Sequence, residues 1–105
     1  MMDIDLFKTI NDRFGHQMGD MVILATAHVL VEECRSADIV CRYGGDEFLI
    51  ILPGVCASEA WVLAERLRIR ISEKTFANNP DLAVTVSAGI SECNPEDTAN
   101  TLVFR

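Results

Sequence analysis

The chain has 105 residues, half of them apolar, which is enough for one domain with a real core and excludes global disorder. Its 16 acidic side chains outnumber 9 Lys and Arg, and a net charge of −7 argues against a general nucleic-acid binder, which needs cationic side chains to displace counterions. No apolar stretch reaches the roughly 20 residues that span a bilayer, so no membrane contact is expected within the chain.

In chain order, MMDIDLF reads as a strand with Asp3 and Asp5 on one face and Ile4 on the other. KTINDRFGHQMGD is polar and broken by glycines, with room for one short helical turn. From Asp20, MVILATAHVLVEEC carries apolar residues at 23, 27, 30, 31 and 34, a helical stripe on a segment apolar nearly all round. That pattern predicts a helix packed on more than one side, with His28 as a packed, hydrogen-bonded side chain. DIVCRY and EFLIIL then flank Gly44–Gly45 as a β-hairpin, ended by Pro53–Gly54. Ser58 is placed to cap a further helix with Ala60, Leu63, Ala64, Leu67 and Ile71 inward and Arg66, Arg68, Arg70 and Lys74 mostly outward. After Asn78–Asn79–Pro80, AVTVSAGIS reads as the last strand. The order β-α-β-β-α-β predicts an α+β, ferredoxin-like antiparallel sheet with helices on one face. The four cysteines (34, 41, 56 and 93) form no C-x-x-C pair and have no His at ligand spacing. They are expected to be reduced, buried thiols of a cytoplasmic protein, and no secretory leader is read ahead of the first strand.

The hairpin turn is the unusual part. In RYGGDEF, Arg42 to Phe48, two glycines are followed by two adjacent carboxylates before the apolar strand begins. The ferredoxin-like layout makes the first strand and the hairpin neighbours, so Asp3 should lie beside Asp46 and Glu47. Carboxylates on adjacent strands repel unless a cation holds them, and Mg²⁺ prefers one or two carboxylates, a carbonyl, waters and substrate phosphates. Two such ions about 4 Å apart stabilise the attacking and leaving oxygens of a phosphoryl transfer. The glycines fit this, since a missing Cβ lets the backbone approach a ligand. Spacing alone leaves a solvated acidic turn equally open.

RYGGDEF, together with DIDLFKTINDRFGHQMGD before it and VTVSAGIS after it, closely resembles the GGDEF family of diguanylate cyclases over essentially the whole chain, 1–105. The resemblance implies a palm-like cyclase domain that condenses two GTP into cyclic di-GMP and pyrophosphate, each protomer of a homodimer holding one GTP. It implies Mg²⁺ (or Mn²⁺) bound by Asp3, Asp46, Glu47 and the Ile4 carbonyl, with Asp46 helping to deprotonate the ribose 3′-hydroxyl and Glu47 tied to the metal. Asn11 and Asp20 match positions that contact the guanine edge, although turn chemistry and a helix N-cap at Asp20 explain the same residues. Phe7 and Lys8 match the loop near the phosphates, beside Gly44 and Gly45, and His16 lies in a structural F-G-H loop.

RSAD, Arg35 to Asp38, ends five residues before Gly44, where the family's R-x-x-D inhibitory site binds product cyclic di-GMP. An Arg grips phosphate bidentately and an Asp pairs with a guanine edge. Arg66 is expected to assist, with Arg68 and Arg70 as competitors. Against the family pattern, the chain starts after the usual N-terminal helix and stops at TLVFR, ahead of a segment that typically supplies a Lys and an Arg to the triphosphate. The alternative to a working cyclase is therefore a catalytically weak module that binds GTP or cyclic di-GMP as a sensor.

Overall fold

The computed structural model describes residues 1–103; the last two residues of the expected 1–105 domain lie outside the described residues. The elements run β1 (Met2–Ile4), α1 (Phe7–Phe14), α2 (His16–Glu33), β2 (Ile39–Arg42), β3 (Glu47–Ile51), α3 (Ala57–Ser72), β4 (Val86–Ala88) and α4 (Ala99–Val103). The strands form one sheet in the order β2-β3-β1-β4, with every pairing antiparallel, as the ferredoxin-like layout requires. β1 is thus central, with Met2 opposite Phe48 and Asp3 opposite Glu47. Alternation puts Met2, Ile4, Phe48 and Val86 on the face covered by α2 and α3, where they meet Val22, Val29, Leu30, Leu67 and Ile71 in the core. The opposite face carries Asp3 and Glu47 at one end and the exposed Ile39 and Ile51 at the other.

Expectations for three helices need correction. α1 is a full eight-residue helix rather than a single turn, because Phe7, Ile10 and Phe14 give it an apolar side against α2. α2 begins at His16, four residues ahead of Asp20. Asp20 is therefore inside the helix and not its N-cap; the N-cap is Gly15, whose φ of 92° is a conformation that L side chains rarely adopt. One side of α2 remains open, with Met21, Leu24, Val31 and His28 exposed, so the helix is not packed all round and His28 is not a core residue. α3 is capped by Cys56, not Ser58: the Cys56 N–H donates to Glu59 Oε2 at 3.1 Å, with the thiol on the same carboxylate, while Ser58 Oγ touches Cys56 Sγ. The cysteines are free, but only Cys34 is half-buried; the other three are exposed, against expectation. α4 was not legible in the sequence; reciprocal hydrogen bonds between Thr98 and Thr101 fix its start. Among the described residues no helix is long and apolar enough to cross a membrane.

Candidate active site

Pairing of Asp3 with Glu47 puts two carboxylates on the same face of adjacent strands, where like charges destabilise the sheet. Asp46 joins them. Its backbone carbonyl accepts the Ile4 N–H at 3.0 Å, and its carboxyl group hydrogen-bonds that of Asp3. The Asp3 carboxyl is pushed up to about 6, first by desolvation, then by the bond to Asp46 and by the charges of Asp46, Glu47 and Asp5. A cation between these carboxylates would relieve the same repulsion. The neighbouring Asp5 is engaged elsewhere, accepting from Thr85 Oγ1 at 2.8 Å and Ser87 Oγ at 2.6 Å. Among the described residues no three His, Cys, Asp or Glu side chains already point at one metal position. The donor set still suits Mg²⁺, which takes one or two carboxylates and leaves its other positions to water and phosphate.

The turn holding Asp46 is built by a residue that sequence reasoning passed over. Arg42 Nε donates to the carbonyls of Gly44 and Gly45 at 3.2 and 3.1 Å, and Nη2 donates to Gly45 at 2.6 Å. The N–H groups of Tyr43 and Gly44 both donate to the Glu47 carbonyl. Neither glycine has a positive φ. A Cβ on Gly44 would lie 2.9 Å from Oε2 at the flexible end of the Glu47 side chain, which would have to shift. Gly45 faces open space, as a close-approach position would.

Asn11 lies against Gly19, one residue before Asp20, where α1 packs onto α2. A Cβ on Gly19 would sit 1.8 Å from Asn11 Oδ1 and 3.3 Å from the Phe7 ring, so only glycine lets Asn11 lie beside the turn that bears Asp20. A glycine inside an apolar helix was the signal for this contact. The Phe7 ring packs against the core, leaving its backbone N–H as its only group for a phosphate, whereas Lys8 is exposed. Leu6, which enters α1, is the one non-glycine residue with positive φ among the described residues (54°) and is exposed, a strained junction between Asp5 and the first helical N–H groups.

Arg35 and Asp38 form a compact turn. Arg35 donates from its N–H to Asp38 Oδ2 at 2.7 Å and from Nη2 to Asp38 Oδ1 at 2.9 Å and the Pro53 carbonyl at 3.1 Å. The Arg35 guanidinium holds the Asp38 carboxyl below the usual carboxylate range. Arg35, Asp38 and Arg66 line one pocket of about 270 Å³, with Leu52 and Val55. Arg68 pairs with Glu65 and Arg70 with Glu32 and Glu33, and neither lines that pocket. Its Leu52 lies six residue steps along β3 from Asp46, roughly 20 Å at ~3.3 Å per residue. The acidic turn and this pocket therefore lie apart, at opposite ends of β3.

The four-stranded antiparallel sheet with its helices is the palm-like α+β fold shared by nucleotide cyclase domains. A family model described as "Diguanylate cyclase, GGDEF domain" matches residues 1–104, and the chain belongs to that family. It is 41% identical to the response regulator PleD of Caulobacter vibrioides over 109 aligned positions, and 40% identical to diguanylate cyclase A of Treponema denticola over 107. Both matches take in 100% of this chain but only 24% and 29% of those proteins, so the chain spans about a quarter of their length. Among solved structures it superposes on the GGDEF domain of DgcB from Caulobacter crescentus in complex with c-di-GMP, with a TM-score of 0.90 at 34% identity. That match covers 98% of this chain and 63% of the other. Diguanylate cyclase SiaD of Pseudomonas aeruginosa, bound to its activator SiaC, gives 0.92 at 34% identity, covering 99% and 40%.

Deprotonation of Asp3 gives a testable pH dependence. The folded pKa lies above the ordinary 3.8, so folding favours the protonated form; this contribution is complete below 3.8 and lost as pH rises through about 6. Without divalent metal, the melting temperature is expected to fall between those values, and Asp3→Asn is expected to flatten the fall. Melting curves in EDTA across that range check it, and equal pH slopes in the two proteins would show that Asp3 is not the titrating group.

Proposed function

We propose that this chain is a diguanylate cyclase domain that condenses two GTP into cyclic di-GMP with release of pyrophosphate, one GTP held by each protomer of a homodimer. The observation that carries this is the register of the sheet, which sets Asp3 opposite Glu47 and bonds the Ile4 N–H to the Asp46 carbonyl, so that three carboxylates gather at one end of β1 and β3. Asp3, Asp46, Glu47 and the Ile4 carbonyl would hold Mg²⁺ or Mn²⁺, which supplies charge neutralisation at the phosphates and polarisation of the attacking hydroxyl. The first N–H groups of α1, at Phe7 and Lys8, together with the Lys8 ammonium, receive the phosphates. Gly45 lets the turn approach the nucleotide. Asn11 and Asp20 read the guanine edge, Asp accepting from N1–H and N2–H₂. The ribose 3′-oxygen of one GTP attacks the α-phosphorus of the other; its proton passes toward Asp46, and the bond to the pyrophosphate oxygen breaks. Arg35, Asp38 and Arg66 form a separate site for the product. A cytoplasmic setting without nucleic-acid partners accords with this reading.

Incubation of the chain with Mg²⁺ and GTP, followed by chromatography, is expected to yield cyclic di-GMP. A second reading, a nucleotide-binding sensor, is favoured by the pocket at the far end of β3, which does not depend on the carboxylates. Binding of cyclic di-GMP without turnover would select it; neither binding nor turnover would remove both.

Base choice tests the other half of the site. Gly19→Ala is expected to push Asn11 aside and reduce the preference for GTP over ATP about tenfold, the worth of one hydrogen bond at the upper end of its range. Asn11→Ala should do the same. Affinities for both nucleotides, measured by calorimetry, check this, and an unchanged ratio in both variants would take Asn11 out of guanine recognition.

A further inference from the structure

The last turn of α2 holds Glu32 and Glu33 and no basic residue. Carbonyl dipoles make that end of a helix unfavourable for negative charge, so both carboxylates need outside partners. α3 supplies them. Arg66 Nε donates to Glu33 Oε2, Arg70 Nη1 donates to Glu33 Oε1, and Arg70 Nη2 donates to Glu32 Oε2 at 2.9 Å. Glu33 is the more covered member of its pair with Arg66, 18% exposed against 50%. The hydrogen bonds from Arg70 and then Arg66 hold its carboxyl below the usual range. Glu33 also lines the pocket shared by Arg35, Asp38 and Arg66, whereas Glu32 does not.

A phosphate gripped bidentately by a guanidinium uses two neighbouring N–H groups, and the edge through Nε is one of the few that present such a pair. At Arg66 that Nε–H is already given to Glu33. We propose that Glu33 is a built-in competitor at the product site, occupying Arg66 in the free protein and yielding it only when a cyclic di-GMP phosphate displaces the carboxylate. The inference rests on Arg35, Asp38 and Arg66 forming the product site. Its consequence is regulatory: Glu33 raises the product concentration at which the site fills, and so delays inhibition.

The test is calorimetric titration of cyclic di-GMP into the full chain. Glu33→Gln keeps the side-chain shape but removes the competing charge, and is expected to tighten binding about fivefold, the upper range for a partly exposed ion pair. Glu32→Gln removes the same net charge from a residue outside the pocket, and is expected to change affinity less than about twofold, because screening weakens distant charges. In an Arg66→Ala background, Glu33→Gln should give no further gain, since the two act through one contact. Unchanged or weaker binding by Glu33→Gln, or an equal gain from Glu32→Gln, would overturn the competitor role while leaving the product site standing. Absence of cyclic di-GMP binding in the parent chain and all variants would remove the product site and the competitor together. Should Glu33→Gln not fold, the parent protein still decides: on saturation with cyclic di-GMP the carboxyl ¹³C resonance of Glu33 must shift, and a resonance that stays in place overturns the proposal.

Discussion

Asp46→Asn and Glu47→Gln are each expected to reduce cyclic di-GMP formation by at least about 10²-fold, the usual loss when one preorganised electrostatic partner of a transition state is removed. Both changes keep side-chain shape and take away a charge. Neither should unfold the domain, because the turn is held by backbone atoms and Arg42: the Ile4 N–H to the Asp46 carbonyl, the Tyr43 and Gly44 N–H groups to the Glu47 carbonyl, and the Arg42 guanidinium to Gly44 and Gly45. Removing a carboxylate from a repelling set should instead raise metal-free stability slightly, since Asp3 faces Glu47 across the strands. Lost activity with an unchanged or higher melting temperature in EDTA is therefore the combined signature of a metal site. The measurement is product formation with Mg²⁺ and GTP beside a thermal melt. Near-normal turnover in either variant would take that residue out of the chemistry.

How much of this was visible in the residues depends on range. The hairpin and sheet order were legible because the apolar stretches of DIVCRY and EFLIIL flank a Gly-Gly turn, and adjacency of Asp3 to the acidic turn follows once β1 is central. Helix boundaries failed where glycine carried two meanings. Gly15 and Gly19 both look like breakers, yet Gly15 joins two helices through a positive φ, while Gly19 lies within α2 to make room for Asn11. A cysteine cap was invisible at Cys56, because Ser58 is the stronger capper by type and only the reach of Glu59 decides between them. Arg42 reads as a strand charge until the turn closes beneath it. Glu33 was equally hidden, since its role depends on which face of α3 meets the end of α2, a contact between residues 33 positions apart or more.

The second large effect is expected at Arg35. Arg35→Ala should raise the dissociation constant for cyclic di-GMP roughly ten- to 150-fold, the range that follows from losing hydrogen bonds to a charged group. The free structure explains why the arginine is ready: it is already held by Asp38 and the Pro53 carbonyl, so little side-chain freedom is lost on gripping a phosphate. Its partner is poised in turn. The Asp38 side chain is only 1% exposed and is kept ionised by Arg35, and the Arg35 N–H remains bonded to it when the guanidinium is removed. The variant should consequently fold, and Asp38→Ala should weaken binding as well by removing the carboxylate that holds Arg35 in place. Mg²⁺-dependent GTP binding should be unaffected by either change, because the acidic turn lies at the other end of β3. Calorimetry with both ligands on all three proteins separates the two sites. Equal cyclic di-GMP affinity in Arg35→Ala and the parent, with the parent binding measurably, would leave this turn a structural link between α2 and β2 and move the product elsewhere on the domain.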